Sequence, residues 1–324
     1  MIVLNLLFLT FVQTQILPER DLDIMFWNME NFFDYKDGGE GESDTEFSSF
    51  GSRRWTRKRF QAKCNAFAKT IFWIKDSYGS LPDVIGLAEI ENRNVLYRLL
   101  KDTALKKTDY AFIHFDGNDR RGIDVAILYR KSVMTPSSIT RRQPLTDDGD
   151  TLQTRDMLNV HMNLKSASEG HQGIYFIVNH HPSKYGGEEE SRIKRHFAMK
   201  TLKSLVDSLN TMNPGGKIIA MGDFNDTPDA EQFRIIEDNI INKSESMYES
   251  GRGTIRYEGK WELIDMFLVS ADLDSFTEMD ILEIPFLMTR ESRHAGQKPL
   301  RTYSGPRYLG GVSDHLPIVL YFRK

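Results

Sequence analysis

Short apolar runs that end in polar residues constrain this chain more than any other feature. They cover Leu22–Trp27, Asp83–Ile90, Ile123–Tyr129, Ile174–Asn179, Lys217–Met221, Leu263–Val269 and Leu316–Phe322. Each is rich in Ile, Val, Leu or Phe and bounded by Gly, Pro, Asn or Asp, the pattern of strands closed by turns. Amphipathic helices are predicted between them. One carries the stripe Phe60, Cys64, Phe67, Ile71 and Ile74, and a second uses Val95, Leu96, Leu99 and Leu100. A third uses Ile193, Phe197, Leu202, Leu205 and Leu209. Helices and strands alternate early and strands crowd the C-terminal part, so the pattern reads as α/β with mixed sheets rather than a pure βαβ array.

Composition narrows the class. With 324 residues, 40% hydrophobic and 27% charged, the chain is long enough to bury a core without staples. Its 23 Gly and 11 Pro exclude a collagen-like or low-complexity chain, and a lone Cys64 excludes an intrachain disulfide. Cys64 reads as a small core residue. A net charge of −4 does not recommend a protein that coats nucleic acid, although local basic patches are compatible with it. Ile2–Val12 is apolar but too short for a bilayer, which needs about 20 residues. It suits the core of a secretory signal, so residues 1–15 are expected to be a signal peptide on a secreted or periplasmic protein without integral membrane association. A buried first strand is the alternative, and the protein would then be cytoplasmic. No linker divides the remainder, so residues 21–324 are expected to form one domain.

Two stretches read as long loops: Asp37–Phe50, acidic and Gly/Ser rich, and Leu287–Val312. The first is followed by Arg53, Arg54, Arg57, Lys58 and Arg59, a cluster that could be a solvated face or a contact for an anionic substrate.

The chemistry gathers where apolar runs stop. Asn28 and Glu30 follow the first, Glu89 closes the second, and His180 and His181 follow the fourth. Asp223 and Asn225 follow the fifth, and Asp314 and His315 precede the last. Ligands in open α/β sheets gather at strand ends, so these groups could share a cleft. Together they offer hard oxygens and imidazoles without thiolate, a set suited to Mg²⁺ or Mn²⁺ rather than structural zinc. His-Glu-x-x-His, Gly-x-Ser-x-Gly and the P-loop pattern are all absent from the sequence.

In order along the chain, Asn28 in FWNMEN, Glu89 in IGLAEIEN and His180 in IVNHHPS resemble motifs of the endonuclease/exonuclease/phosphatase superfamily. So do Asp223 and Asn225 in MGDFNDTP, Asp265 in LIDMFLVS, and Asp314 and His315 in SDHLPIVLYF. The resemblance implies a deoxyribonuclease I-like, four-layer α/β/β/α sandwich of two mixed sheets, and Mg²⁺-dependent hydrolysis of phosphate esters. It implies that Glu89 holds the metal, with Asn28 and Asp314 contributing oxygens. Asp223 would orient or deprotonate the attacking water, Asn225 would position it, and His180 and His315 would bind phosphate oxygens. Asp265 would hold the His315 ring, because a charged residue inside LIDMFLV is costly without a partner. Arg121, Asp124 and Lys184 are further substrate-binding candidates, along with Arg53, Arg54 and Arg57.

The substrate is less constrained. The segment YEGKWELID disfavours the inositol-phosphatase branch of the superfamily. Trp55 beside the basic cluster offers a stacking face, so a nuclease acting on DNA or RNA phosphodiesters is the first expectation. A phosphatase or phosphodiesterase for small phosphorylated or lipid head-group substrates is the second. An inert binding module on the same scaffold is the third, and the intact polar set argues against it.

Overall fold

The computed structural model describes residues 22–36, 38–39, 41–166, 173–184, 187–238 and 240–322. The expected signal peptide at 1–15 lies outside them. Every strand expected from the apolar runs forms, with its ends displaced by a few residues: β1 (Asp23–Phe32), β2 (Val84–Ile90), β4 (Asp124–Arg130), β7 (Ile174–His180), β8 (Lys217–Asp223), β12 (Asp265–Ser270) and β18 (Ile318–Phe322). The sequence reading missed β3 (Tyr110–His114), β5 (Met134–Arg142), β6 (Met157–Leu164), β9 (Ile240–Asn242) and β13 (Thr277–Ile281). β5 shows why: apart from Met134 and Pro136 its residues are exposed, so no apolar run marks it.

Two six-stranded sheets result, ordered β13-β18-β1-β2-β4-β3 and β5-β6-β7-β8-β12-β9. Within them only β1 with β2 and β7 with β8 pair in parallel. Each parallel pair needs a crossover, and a helix supplies it. The expected helices are α1 (Arg57–Tyr78), which links β1 to β2, and α3 (Glu188–Met212), which links β7 to β8; α2 (Arg93–Lys101) follows β2, and a short α4 (Glu245–Glu249) lies near the C-terminal hairpins. Thr56 caps α1 by accepting the Arg59 N–H, and Gly79 ends it at a φ of 87°.

Alternation along the strands builds the layers. Ile24 and Phe26 of β1 face Ile219 and Met221 of β8 across an inter-sheet core. Met25 and Trp27 turn the other way, onto the Phe60, Cys64, Phe67 and Ile71 stripe of α1. Ile218 and Ala220 meet Met199, Leu202 and Leu205 of α3. The expected four-layer α/β/β/α sandwich is therefore what forms. Ile193 is an exception within its stripe: it is 44% exposed, and Arg195 and Ala198 lie on the buried face instead.

The loop expected at Leu287–Val312 is partly ordered into two small hairpins. They are β14 (Met288–Arg290) with β15 (Gln297–Pro299), and β16 (Tyr303–Ser304) with β17 (Arg307–Tyr308). A third, β10 (Ile255–Tyr257) with β11 (Lys260–Glu262), precedes β12.

Gly86 of β2 packs closely against the second sheet: an added Cβ would lie 2.7 Å from Met221 Sδ of β8, and 3.1 Å from the Phe26 ring of the neighbouring β1. Gly86→Val is therefore expected to destabilise the fold by about 1–3 kcal/mol through overpacking. Gly86→Val with Met221→Ala should recover part of that loss. Urea titration of the two variants checks this, and additive destabilisation would show that the contact does not limit sheet packing.

Candidate active site

The ends of the parallel strands are bent by unusual backbone conformations. Glu30 and Asn31 at the end of β1, Glu89 near the end of β2 and Asn225 just after β8 have φ values of 45°, 52°, 62° and 53°. L residues adopt this left-handed region at a cost, and such strain concentrates at functional sites. The β1–β2 register shifts between Asn28 and Phe32, and the β2–β4 register between Leu87 and Ile90. These bulges break strict alternation and re-aim side chains at the strand ends. Glu89 is thereby placed beside β1, where its Oε2 accepts the Asn31 N–H at 2.6 Å.

The second sheet contributes a row. His180 pairs with Asp223 across β7–β8, and Asp223 pairs with Asp265 across β8–β12. His180 Nε2 lies 3.6 Å from Asp223 Oδ2 and 3.9 Å from Glu89 Oε1. His181 takes the opposite side, as the period of a strand requires. Its ring stacks edge-on against Phe224, and its carbonyl accepts from Asn225 Nδ2 at 2.9 Å.

His315 arrives from the chain just before β18. Its Nδ1 bonds Asp265 Oδ2 at 2.8 Å, and its Nε2 lies 3.9 Å from Asp223 Oδ2. Ser313 secures this turn by donating to the Asn28 carbonyl at 2.6 Å and accepting the His315 N–H at 3.0 Å. Asp223 is held at both oxygens: Asn28 Nδ2 donates to Oδ2 and the Asn225 N–H to Oδ1, each at 2.9 Å. Asn28 Oδ1 meanwhile accepts the Glu30 N–H at 2.9 Å. Asn28 thus supports Asp223 through Nδ2, while its Oδ1, which accepts one N–H, keeps a lone pair for the ligand role expected from the sequence.

The two imidazoles are pushed in opposite directions. Burial pushes His180 well below the usual histidine range, and Arg155 and Arg121 add to that direction. Burial works against charge at His315 too, but Asp265, by charge and hydrogen bond, with Asp223 and Asp314, lifts it well above the usual range. Burial pushes Asp223 up to about 7, aided by Asp265 and opposed by His315, Asn28 and Asn225. A neutral donor, a cationic donor and a high-pKa carboxylate therefore face one another, an arrangement able to bind an oxyanion and accept a proton.

A second carboxylate group lies alongside. Glu30 bonds Arg301 Nε at 3.0 Å and the Thr302 N–H at 2.7 Å, while Arg301 Nη2 reaches Asp314 at 2.9 Å. Lys63, buried on the apolar side of α1, donates to the Glu30 carbonyl at 2.6 Å. Glu30 had appeared in the sequence only as one polar residue among several; Arg301, Lys63 and Arg155 were missed. A lysine three residues after Phe60 on the α1 stripe was the available signal for Lys63; Arg301 and Arg155 had none.

The other candidates separate. Arg121 is at the site, with Nη2 3.7 Å from Glu89. Lys184 is nearly half exposed and 3.4 Å from Glu262. Arg53 lines a small cleft with Glu30, Arg301 and Tyr303, but its guanidinium is already held by Glu46 and the Gly305 carbonyl. Arg54 and Arg57 are exposed and outside that cleft lining. Trp55 cannot be the stacking face expected of it: it is 1% exposed, and its indole N–H donates to the Phe33 carbonyl. Asp124 faces a separate cavity with Asp116 and Asp119.

Comparison with known proteins agrees with the fold. A profile of the Endonuclease/Exonuclease/phosphatase family matches residues 23–324. Among solved structures, a truncated TDP2 from Caenorhabditis elegans is 15% identical, with a TM-score of 0.58, covering 94% of this chain and 98% of its own. A mannosyl-6-phosphatase of Bacteroides thetaiotaomicron is 14% identical, with a TM-score of 0.57 and coverages of 92% and 98%. The human Nocturnin catalytic domain with bound sulfate is 13% identical, with a TM-score of 0.56 and coverages of 93% and 94%. No curated protein matches the sequence.

The Asp265–His315 pair yields a prediction independent of turnover. Asp265→Asn removes the main group favouring the charged ring and leaves burial, which opposes it. The His315 titration followed by NMR should therefore move to lower pH. A titration that stays in place would show that Asp265 does not hold the charge.

Proposed function

Because the chain belongs to the endonuclease/exonuclease/phosphatase family over residues 23–324, we propose that it is a divalent-metal-dependent phosphoester hydrolase. The observation that carries this reading is the row His180, Asp223 and Asp265, faced by Glu89 from the first sheet and closed by His315.

The donor set fits a hard divalent cation. Glu30, Glu89 and Asp314 all act on the same two cations, Lys63 and Arg301, so they share one neighbourhood. Burial and then Asp314 push Glu30 up to about 7, so its ionised form is disfavoured as it stands and a bound cation would favour it. Mg²⁺, with Mn²⁺ as a substitute, would be held by Glu89 with Glu30 and Asp314, and when bound it supplies charge neutralisation and acidifies water.

The protein groups supply the rest. Asp223 is the base: Asn28 and Asn225 fix both its oxygens, so its free lone pairs point in set directions. His315 donates from Nε2 as a cation to a phosphate oxygen, its ring held by Asp265. His180, kept neutral, donates without adding a charge that would compete for Asp223. Arg121 lies close enough to Glu89 to share the anionic ligand. This is electrostatic preorganisation, in which donors wait where charge develops.

The preferred substrate is a small phosphorylated molecule. Trp55 offers no face for a base, and Glu42, Asp44, Asp116 and Asp119, which line the cavity that Asp124 faces, would repel an extended polyanion. Nucleic acid is the second reading, favoured by Arg53 and Arg301 in the cleft beside Glu30, with Arg54, Arg57 and Lys58 exposed nearby in sequence. Plasmid, oligonucleotide, sugar phosphates and bis-p-nitrophenyl phosphate, each tested with Mg²⁺, Mn²⁺ and EDTA, separate the two. Nucleic-acid cleavage that Arg53→Glu abolishes, with the small ester spared, would reverse the preference.

Two outcomes test the chemistry. Glu89→Gln should lower metal-dependent turnover by orders of magnitude while leaving the melting curve intact, and near-native activity at limiting Mg²⁺ would remove Glu89 from the centre. The base must be ionised, so kcat/KM should fall as pH drops through about 7, the value to which Asp223 is pushed. Asn28 holds that value down, so Asn28→Ala should move the acidic limb to higher pH; movement to lower pH would contradict the assignment.

A further inference from the structure

A second group of metal-ligating side chains lies two strands outward from β1, at the β3–β4 edge, and the catalytic reading does not use it. His114 ends β3, Asp124 opens β4 and Asp116 sits in the turn between them. One ligand atom from each lies within 4.8 Å of the others. We propose that His114, Asp116 and Asp124 form a second divalent-cation site, structural in role and suited to Zn²⁺ or Mn²⁺.

His114 is the observation that raises this above a cluster of acids. It is 1% exposed, and neither ring nitrogen makes a well-formed hydrogen bond; the Ile90 carbonyl acts on the ring as a weak acceptor, which can serve one nitrogen and leaves the other unsatisfied. A buried imidazole nitrogen without a partner is costly. Its Nδ1 is aimed at Asp116 Oδ1, 3.8 Å away. Tetrahedral ligands about 2.1 Å from a Zn²⁺ ion are about 3.4 Å apart, so ligand atoms that lie within 4.8 Å of one another would have to close by up to about 1.4 Å. Burial keeps the ring neutral, down to about 4, which leaves a lone pair available.

The surroundings favour a cation. Asp116 and Asp124 open onto a cavity of about 870 Å³ that Glu42, Asp44 and Asp119 also line, with Arg120 as the cation in the lining; Arg93 and Arg141 lie behind it, bonded to the carbonyls of His114 and Asp116. The carboxylates that act on Asp124 are Asp119, Asp116 and Asp156, none of them in the catalytic group. One imidazole with two carboxylates suits Zn²⁺ or Mn²⁺; Mg²⁺ and Ca²⁺ prefer all-oxygen shells. An ion here would pin the β3–β4 turn. That turn carries Asp119, which takes Arg155 at 3.1 Å, and Arg121, which approaches Glu89.

The test counts ions on the full chain after metal stripping. Free Mn²⁺ is followed by electron paramagnetic resonance, and Zn²⁺ is then added as a competitor. Glu89→Gln should retain one ion that Zn²⁺ displaces. Adding Asp116→Asn, at an exposed position, should weaken that ion by roughly tenfold or more, the scale on which metal sites respond to lost support. Asp124→Asn, checked for folding by circular dichroism, should do the same. If Glu89→Gln binds no ion, or the retained ion is indifferent to both aspartate changes, the site does not exist. If the wild type holds one ion that Asp124→Asn removes and Glu89→Gln does not, this site stands and the catalytic metal reading fails.

Discussion

Burial of carboxylates at the common edge of two sheets is the constraint that the rest of this structure answers to. Glu30, Glu89, Asp223 and Asp265 are all at most 8% exposed, and isolated charges in such surroundings cost several kcal/mol each. Each is met by a specific group: Arg301, the Thr302 N–H and Lys63 around Glu30, the Asn31 N–H at Glu89, Asn28 and Asn225 at Asp223, and His315 at Asp265. The compensation does not outweigh burial at two of them, since Glu30 and Asp223 are both pushed up to about 7. A bound cation, as proposed, would favour their ionised forms.

The architecture explains why the compensation can be so local. Both parallel pairs, β1–β2 and β7–β8, carry their helix on the outer face and end at the same edge, so carboxylates from two sheets converge without any long loop. The strained residues fall where these strands must stop alternating. A strand that continued its pleat through Glu89 would send that carboxylate to the wrong face; the left-handed turn at φ 62° and the bulge beside it prevent this. Strain and function therefore share a position because the chemistry requires a direction that regular β-structure does not supply.

The opposite directions in which His180 and His315 are pushed follow from the same geometry. Both rings are buried, and burial alone would neutralise both. Only His315 has a carboxylate on its Nδ1; His180 has none there and faces Arg155 and Arg121 instead. One ring is thus favoured as a cation and the other as a neutral group, although nothing in their residue type distinguishes them.

The sequence by itself determined the layer pattern and named most of the side chains that the strand ends bring together. Apolar periodicity is local, so the seven core strands and three long helices were readable, as were Glu89, His180, Asp223, Asn225, Asp265 and His315 at their ends. β5 was not, because an edge strand facing solvent carries no apolar run. Tertiary structure alone decided the rest. Arg301 and Lys63 meet Glu30 across separations of hundreds and tens of residues, Asn28 came to lie beside Asp223 as its hydrogen-bond donor, and Trp55 went inward under Tyr303. Such pairings depend on which strand ends share an edge, and that is set by sheet order and register, not by the identity of any one residue.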